Sequence, residues 1–519
     1  MDMAACRAEF NQAVDRLAGL LERRIYLQLF LTERNTLRPG VWEDYLYIKL
    51  IVQMASKYSL LEVYTDSGAV YDFFAGKGAE TFINDHLAFF FKKNLLRCKQ
   101  FLSSSIFIGK LLRDFFISRS MRGRRRRVLS DTMIVTTWIS DVNFASDGFN
   151  DSYFPGLKEY LTGRGEKVSV CPFFYNVKNI FSVHRYMLQD GGFLMVEDYL
   201  RITDYRQVLQ DFIRKTWLKL DSFVIGEVDM TSNWSWYRLQ ERPVYSSLFS
   251  AFMRELKRSG AENIQFCVNH ENLIPEKMLL LAREEFFPEA KVIANFHTSM
   301  PLNLINLDYA GEADFLVSPL PDLVLFNSPA YLQHFESRWP EMNCRPGYAM
   351  KQAYLANIDV SSGSSDKIAV FLSGRRQESL MILDILNRNA SILENYEVSF
   401  RFHPMDIFAL QAYCKFVNWN VFDGNINDFM NQSVHVISAY STCLLEAAIA
   451  GRNVGFVYDP TKPLLNPFDN LEIGNYSLIG SYKQFESFLF HPEDSFKKIS
   501  CGEKFFLTKQ NLDQFCALN

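Results

Sequence analysis

Residues 398–460 carry VSFRFHP at 398–404 and, after a polar stretch, VHVISAYSTCLLEAAIAGRNVGFVYDP at 434–460. Each half is a short β-branched and aromatic run that stops at polar residues and leads into a helical pattern, the signature of strand-to-helix units in an open parallel sheet. Such sheets bind ligands at the carboxyl ends of their strands. His403 and Pro404 close the first strand, with Arg401 just inside it; Ser438, Ser441 and Thr442 close the second. Glu446 falls one helical turn after Thr442 on the same face. Hydroxyls at a helix N-terminus suit a phosphate, because free N–H groups and the helix dipole favour an anion. A carboxylate one turn along can accept from ribose hydroxyls. The combination predicts a nucleotide-sugar site, with Pro404 starting a second helix that faces the same crevice.

At 519 residues the chain has room for two or three domains. A hydrophobic content of 48%, including 46 Phe, marks it as globular, and a net charge of -4 argues against a general nucleic-acid binder. The nine cysteines form no C-x-x-C pair, which reads as reduced thiols rather than a zinc site. The acidic, helical beginning does not read as a signal peptide, and no apolar run approaches the ~18 residues of a membrane span. A cytoplasmic location is expected, with peripheral contact at an inner membrane as an option.

Residues 1–127 read as a helical N-terminal region. Its segment 86–127 mixes Phe, Leu and Ile with Lys92, Lys93, Arg97, Lys99, Lys110 and Arg113, then ends in the run Arg124, Arg125, Arg126, Arg127. Two roles stay open: a surface helix on an anionic membrane leaflet, or a core helix followed by a solvated basic linker. From Met133, the runs MIVTTWI, KVSVCPFFY, NIQFCVNH, KVIANFH and DLVLFNS alternate with helical patterns, so 128–358 is predicted to be a βα domain. Its middle, near 190–244, reads as helical. The Ser- and Gly-rich stretch 359–366 is the most linker-like in the chain. Residues 366–500 form a second βα domain, and 501–519 a tail.

In the second domain, Ser373-Gly374-Arg375 follows the first strand; glycine permits close backbone approach and arginine gives forked contacts to phosphate. In the first domain, Glu271 ends NIQFCV in the run Asn269-His270-Glu271-Asn272 and is the first candidate for a catalytic carboxylate, as base or nucleophile. Apolar neighbours such as Phe266 and Phe296 are expected to raise its pKa. Glu276 caps or supports the helix that follows. His297, with Thr298 and Ser299, ends the next strand and points into the same cleft, to orient the acceptor or bind a carboxylate of the donor. Asp147 is the rival catalytic carboxylate. The structural alternatives for these residues are an ordinary βα turn, helix caps and packed strand-end histidines. No D-x-D triplet occurs, so a metal-held diphosphate is not expected, and no cofactor is implied.

The H-P dipeptide ending one strand, with a Ser/Thr-rich strand end some 35 residues later, resembles the C-terminal domain of bacterial GT-B glycosyltransferases that use CMP-activated acidic sugars: sialyltransferases, polysialyltransferases and Kdo transferases. FCVNHENLIPEKMLL and KVIANFHTSMP resemble the N-terminal domain of surface-carbohydrate biosynthesis proteins. The resemblance covers roughly 133–490. It implies an α/β fold of the GT-B kind, two Rossmann-like domains facing a cleft, preceded here by the helical region. It also implies transfer of an acidic ulosonic sugar from CMP to a surface glycan or lipid-linked glycan. Gly374, Arg375, Arg401, His403, Pro404, Ser438, Ser441, Thr442 and Glu446 would hold the CMP donor, and Glu271, His297 or Asp147 would serve the chemistry. Asp147-Gly148 lacks the doubled acid of the polysialyltransferase motif. A UDP-sugar transferase or same-fold epimerase, and a non-catalytic membrane-associated scaffold, are the competing functions.

Overall fold

The apolar runs pair in parallel, and because helices cover both faces, their residues are buried on both sides instead of alternating. The computed structural model describes residues 2–34, 40–57, 65, 67–75, 86–122, 128–145, 148–174, 177–358, 363–403, 406–460, 462, 464–469, 471, 476–490, 505–506 and 512–515.

The first sheet contains β1 (Thr132–Ile139), β2 (Lys167–Phe174), β3 (Gln265–Asn269), β4 (Val292–Phe296), β5 (Leu323–Phe326) and β6 (Cys344–Pro346), in spatial order β6-β5-β4-β3-β1-β2. The second contains β7 (Ser364–Phe371), β8 (Glu397–Arg401), β9 (Trp419–Val421), β10 (Ser433–Ser438), β11 (Asn453–Val457) and β12 (Tyr476–Ile479), in order β9-β8-β7-β10-β11-β12. Every pairing in both sheets is parallel. Both are doubly wound Rossmann-like sheets, the GT-B arrangement expected from sequence. The short edge strands β6 and β12 add to it.

Strand order decides where each sheet opens. In the first, the chain lays β2 on one side of β1 and then returns to lay β3 on the other, so adjacent loops diverge between β1 and β3. In the second, the same reversal falls between β7 and β10. These are the switch points where open α/β sheets bind ligands. Glu271 follows β3; Gly374 follows β7; Ser441 follows β10.

The N-terminal region is helical as expected, with helices at Met3–Leu20, Val41–Ala55 and His86–Arg122 among others. It docks with the helical crossover between β2 and β3, which also contains a small antiparallel hairpin at Val224–Ile225 and Val228–Asp229. Lys215, wholly buried, pairs with Glu241 at 3.1 Å, and Arg24 pairs with Asp211 at 3.0 Å. The tail returns to the first domain: Leu512 and Phe515 pack with β1 and β5 residues, and Gln514 donates to the Pro346 carbonyl at 2.7 Å.

One correction concerns Pro404. It lies outside the described residues, but no helix begins after it at 406–409, which is irregular and leads only to a 3-10 turn at Leu410–Ala412. Asp406 is instead held by the Arg376 guanidinium, at 2.7–3.0 Å, beside the Phe408 ring.

Asp314 is the buried anchor of the N-terminal helices. It accepts from Tyr26 at 2.7 Å and from the Ala310 N–H at 2.8 Å, and lies 3.7 Å from the wholly buried Arg34. Removing one partner strands a buried cation, so Asp314→Ala is expected to cost about 3–5 kcal/mol. Urea unfolding followed by tryptophan fluorescence reads it; an unchanged midpoint contradicts the anchor.

Candidate active site

The first wall is built where β3 and β4 end. The His297 imidazole donates from Nε2 to Glu271 Oε1 at 3.1 Å. Glu271 is the more open of the two, with 24% of its side chain exposed against 4% for His297, so the carboxylate faces the cleft and the imidazole backs it. The turn carrying Glu271 is held by Glu276, as the sequence suggested: its carboxylate accepts the N–H groups of Glu271 and Asn272 at 2.8 and 2.7 Å, and the His270 Nδ1–H at 2.7 Å. Asn272 adopts the left-handed conformation, φ 54°, which asparagine tolerates better than most residues. Its side chain is fixed on the Asp308 carbonyl at 3.0 Å.

Burial alone would raise the Glu271 pKa. The His297 hydrogen bond and charge, then Lys351 and His270, outweigh it and hold the carboxyl below the usual range. The expected raised pKa is therefore corrected: cationic and imidazole neighbours, invisible in the local sequence, win over Phe266 and Phe296. Asp147 lies outside the described residues. Downstream in the same loop, the Tyr153 ring meets His297 edge-on at 5.0 Å.

The second wall is built where β7, β8 and β10 end. An ideal Cβ at Gly374 would stand 2.9 Å from His403 Nδ1, so only glycine lets the imidazole lie against the turn. Gly374 and His403, far apart in sequence, are thus brought together. Packed atoms, with Lys351 adding, push the His403 pKa below 6.5 despite one open face. The imidazole is therefore neutral at neutral pH, able to hydrogen-bond a ligand without carrying charge. The Arg375 guanidinium pairs with Glu378. Ser441 caps the helix Thr442–Ile449 by accepting the Cys443 N–H at 3.2 Å, and Thr442 stands half-buried at its first turn.

Three predicted contacts are committed elsewhere. The Ser438 hydroxyl is wholly buried and donates to the Phe371 carbonyl at 2.8 Å, tying β10 to β7. Arg401 donates to the Gly424 carbonyl. Glu446 is only 3% exposed; Oε1 accepts from Gln352 Nε2 at 3.1 Å and Oε2 from the Tyr354 hydroxyl at 2.5 Å. The serine sits one residue too deep in its strand, and the carboxylate on the inner face of its helix, for either to front the cleft.

Gln352 and Tyr354 belong to the 3-10 segment Met350–Asn357 that carries the chain from one sheet to the other. Gln352 Nε2 also lies 3.3 Å from the His297 carbonyl, so one amide ties both walls. Lys351, exposed on this connector, lies 5.6 Å over the Tyr153 ring, and its charge lowers both Glu271 and His403. Sequence reasoning passed over Lys351. Its signal was position alone: a lysine between two polar aromatic residues, Tyr348 and Tyr354, just ahead of the linker.

Beside the second wall is a cavity of about 500 Å³ lined by Arg375, Glu378, Tyr440 and Tyr458 together with Trp42 and Glu43 of the N-terminal region. It lies at the β7/β10 switch point and is of ligand-pocket size. His403 stands on the other flank of the Gly374 turn. Among the described residues no cluster of His, Cys, Asp and Glu is arranged to hold a metal ion.

No protein-family model matches the chain, and no curated protein matches its sequence. Among solved structures it is similar to the S. aureus MnaA-UDP co-structure, at 10% identity over 74% of this chain and 93% of that one, TM-score 0.43. It is similar to UDP-GlcNAc 2-epimerase from Neisseria meningitidis bound to UDP-GlcNAc, at 12% identity over 75% and 98%, TM-score 0.43. It is also similar to the glycosyltransferase SnogD from Streptomyces nogalater, at 13% identity over 76% and 100%, TM-score 0.41. The fold assignment rests on the two strand orders.

Gly374→Ala tests the second wall. The added methyl displaces the His403 ring from the atoms that desolvate it, so its pKa is expected to rise toward 6.5. Proton NMR titration of the imidazole reads the change; an unaltered value contradicts the packing of His403 on the turn.

Proposed function

We propose that this chain is a glycosyltransferase that moves an acidic ulosonic sugar, a sialic-acid relative or Kdo, from CMP to a hydroxyl of a surface glycan. The observation that carries the reading is the convergence of the two walls. A carboxylate–imidazole pair ends one sheet, a glycine turn and a capped helix N-terminus end the other, and Lys351 acts on both sides. The CMP donor and its acidic sugar are the finer part of the proposal and rest on the motif resemblance.

In this mechanism the acceptor oxygen bonds to the anomeric carbon as the carbon–oxygen bond to CMP breaks. The hydroxyl proton goes to Glu271 and the electron pair leaves with the phosphate. Glu271 is ionised at neutral pH and, being held below the usual range, is a weak base. Proton transfer therefore runs late, once bonding to carbon has acidified the hydroxyl. That sequence suits an oxocarbenium-like transition state in which the leaving group departs early. Charge gathering on the phosphate meets the helix at Thr442, the Lys351 ammonium and a neutral, hydrogen-bonding His403. Arg375 joins them if phosphate displaces Glu378. No metal ion has a role in the proposal.

Thermal-shift measurements with CMP and UDP, combined with transfer assays, test this. CMP is expected to protect and UDP not to. Glu271→Gln should keep CMP protection while transfer falls about 10²–10⁴-fold. Protection by UDP alone would move the chain to UDP-sugar chemistry; protection by neither would favour the scaffold. If Glu271→Gln stays active and Asp147→Asn does not, the carboxylate role belongs to Asp147.

A further inference from the structure

The helix His86–Arg122 has one buried face and, opposite it, an exposed apolar one. Gln100, Ser104, Leu111, Phe115 and Ser118 are buried, and their spacings of three, four and seven put them on one stripe. This inner face is fastened by Gln100, which donates to the Arg238 and Glu241 carbonyls at 2.8 and 2.9 Å, and by Ser118, which donates to Asp198 at 2.6 Å. The face directly opposite carries Leu95, Leu102, Ile106 and Phe116, each 59–68% exposed, with Phe101 beside them at 70%. An outward row of large apolar residues on a helix already packed by its other side calls for a covering surface.

Charge says which surface. The helix holds eight Lys and Arg against one acid, Asp114, in a protein whose net charge is -4. Lys92, Lys99 and Lys110 are separated by seven and eleven residues, close to whole numbers of turns, and so line one edge of the apolar stripe. Four further arginines, 124–127, follow the helix in sequence. A second exposed row, Leu209, Ile213 and Trp217, runs along the helix Tyr205–Trp217. The end of that helix is brought beside Gln100 by Arg238, which donates to the Leu218 carbonyl at 3.3 Å.

We propose that this face lies on an anionic lipid bilayer, with the apolar row in the acyl–headgroup boundary and the lysine edge among the headgroups. The helix lies on the bilayer and does not cross it: among the described residues no helix is long and apolar enough to span a membrane. Its inner face is already occupied by protein. Because helix and catalytic cleft share no residue, the proposal stands independently of the sugar donor.

Sedimentation of the full chain with phosphatidylcholine vesicles, with and without phosphatidylglycerol, tests it. Binding is expected only to the anionic vesicles and should weaken with added salt. The triple change Leu95→Ser, Leu102→Ser, Ile106→Ser should lower the bound fraction about tenfold or more, with an unchanged melting temperature because all three sites are exposed. Should that variant unfold, Lys99→Glu with Lys110→Glu carries the test by weakening binding to anionic vesicles. Absence of binding, or equal binding to both vesicle types, overturns the proposal. So does a dimer in light scattering that the serine variant dissociates while vesicles capture nothing, which would make the row a protein interface.

Discussion

A carboxylate buried to 3% exposure has to find donors, and Glu446 finds both on the segment that joins the two sheets. Gln352 and Tyr354 reach it from the connector, and the same Gln352 amide approaches the carbonyl of His297 on the opposite wall. This one cluster fixes how the carboxyl edges of two independently wound sheets stand to each other. Leaving Glu446 unpaired would cost the full desolvation of a charge, which makes the connector's path a strong constraint and not a passive tether. Further ties support it: Asn303 donates to the Leu464 carbonyl at 2.7 Å, and the Leu302 N–H to Asp469 at 3.0 Å.

Once the connector is fixed, Lys351 is fixed with it, and the electrostatics of the cleft follow. Burial would raise the Glu271 pKa, but His297 and then Lys351 outweigh it; burial leads and Lys351 adds in lowering that of His403, leaving a site with one ready anion, one cation and a neutral donor. That asymmetry suits a reaction in which a proton leaves an acceptor on one side while negative charge accumulates on the other. The N-terminal helices reach the same region, since Trp42 and Glu43 line the cavity beside Arg375.

The fold was largely legible because parallel strands buried on both faces write continuous apolar runs, and nine of the twelve strands lay within such runs. The edge strands β6, β9 and β12, Cys344–Pro346, Trp419–Val421 and Tyr476–Ile479, are short and half-exposed, so they leave little trace. Strand ends were legible for the same reason, which is how Glu271, His297, Gly374, His403 and Ser441 were reached. What each side chain does there was less so. Ser438 and Glu446 carry suitable chemistry, yet their orientation, set by position within strand and helix, commits them to structural bonds. The pKa of Glu271 runs opposite to the sequence expectation because its neighbours in sequence are apolar while its neighbours in space are His297 and Lys351. No local pattern announces Lys351, whose role comes from long-range packing.

The central claim is that both walls serve one site across Lys351, and a single variant tests it most directly. In Lys351→Ala, removal of the shared positive charge is expected to raise the Glu271 and the His403 pKa together, since the lysine lowers both. NMR pH titrations of the two side chains in wild type and variant read this without any substrate. A rise at both residues is the predicted result; a rise at only one, or at neither, would mean that the two sheet edges do not share a site.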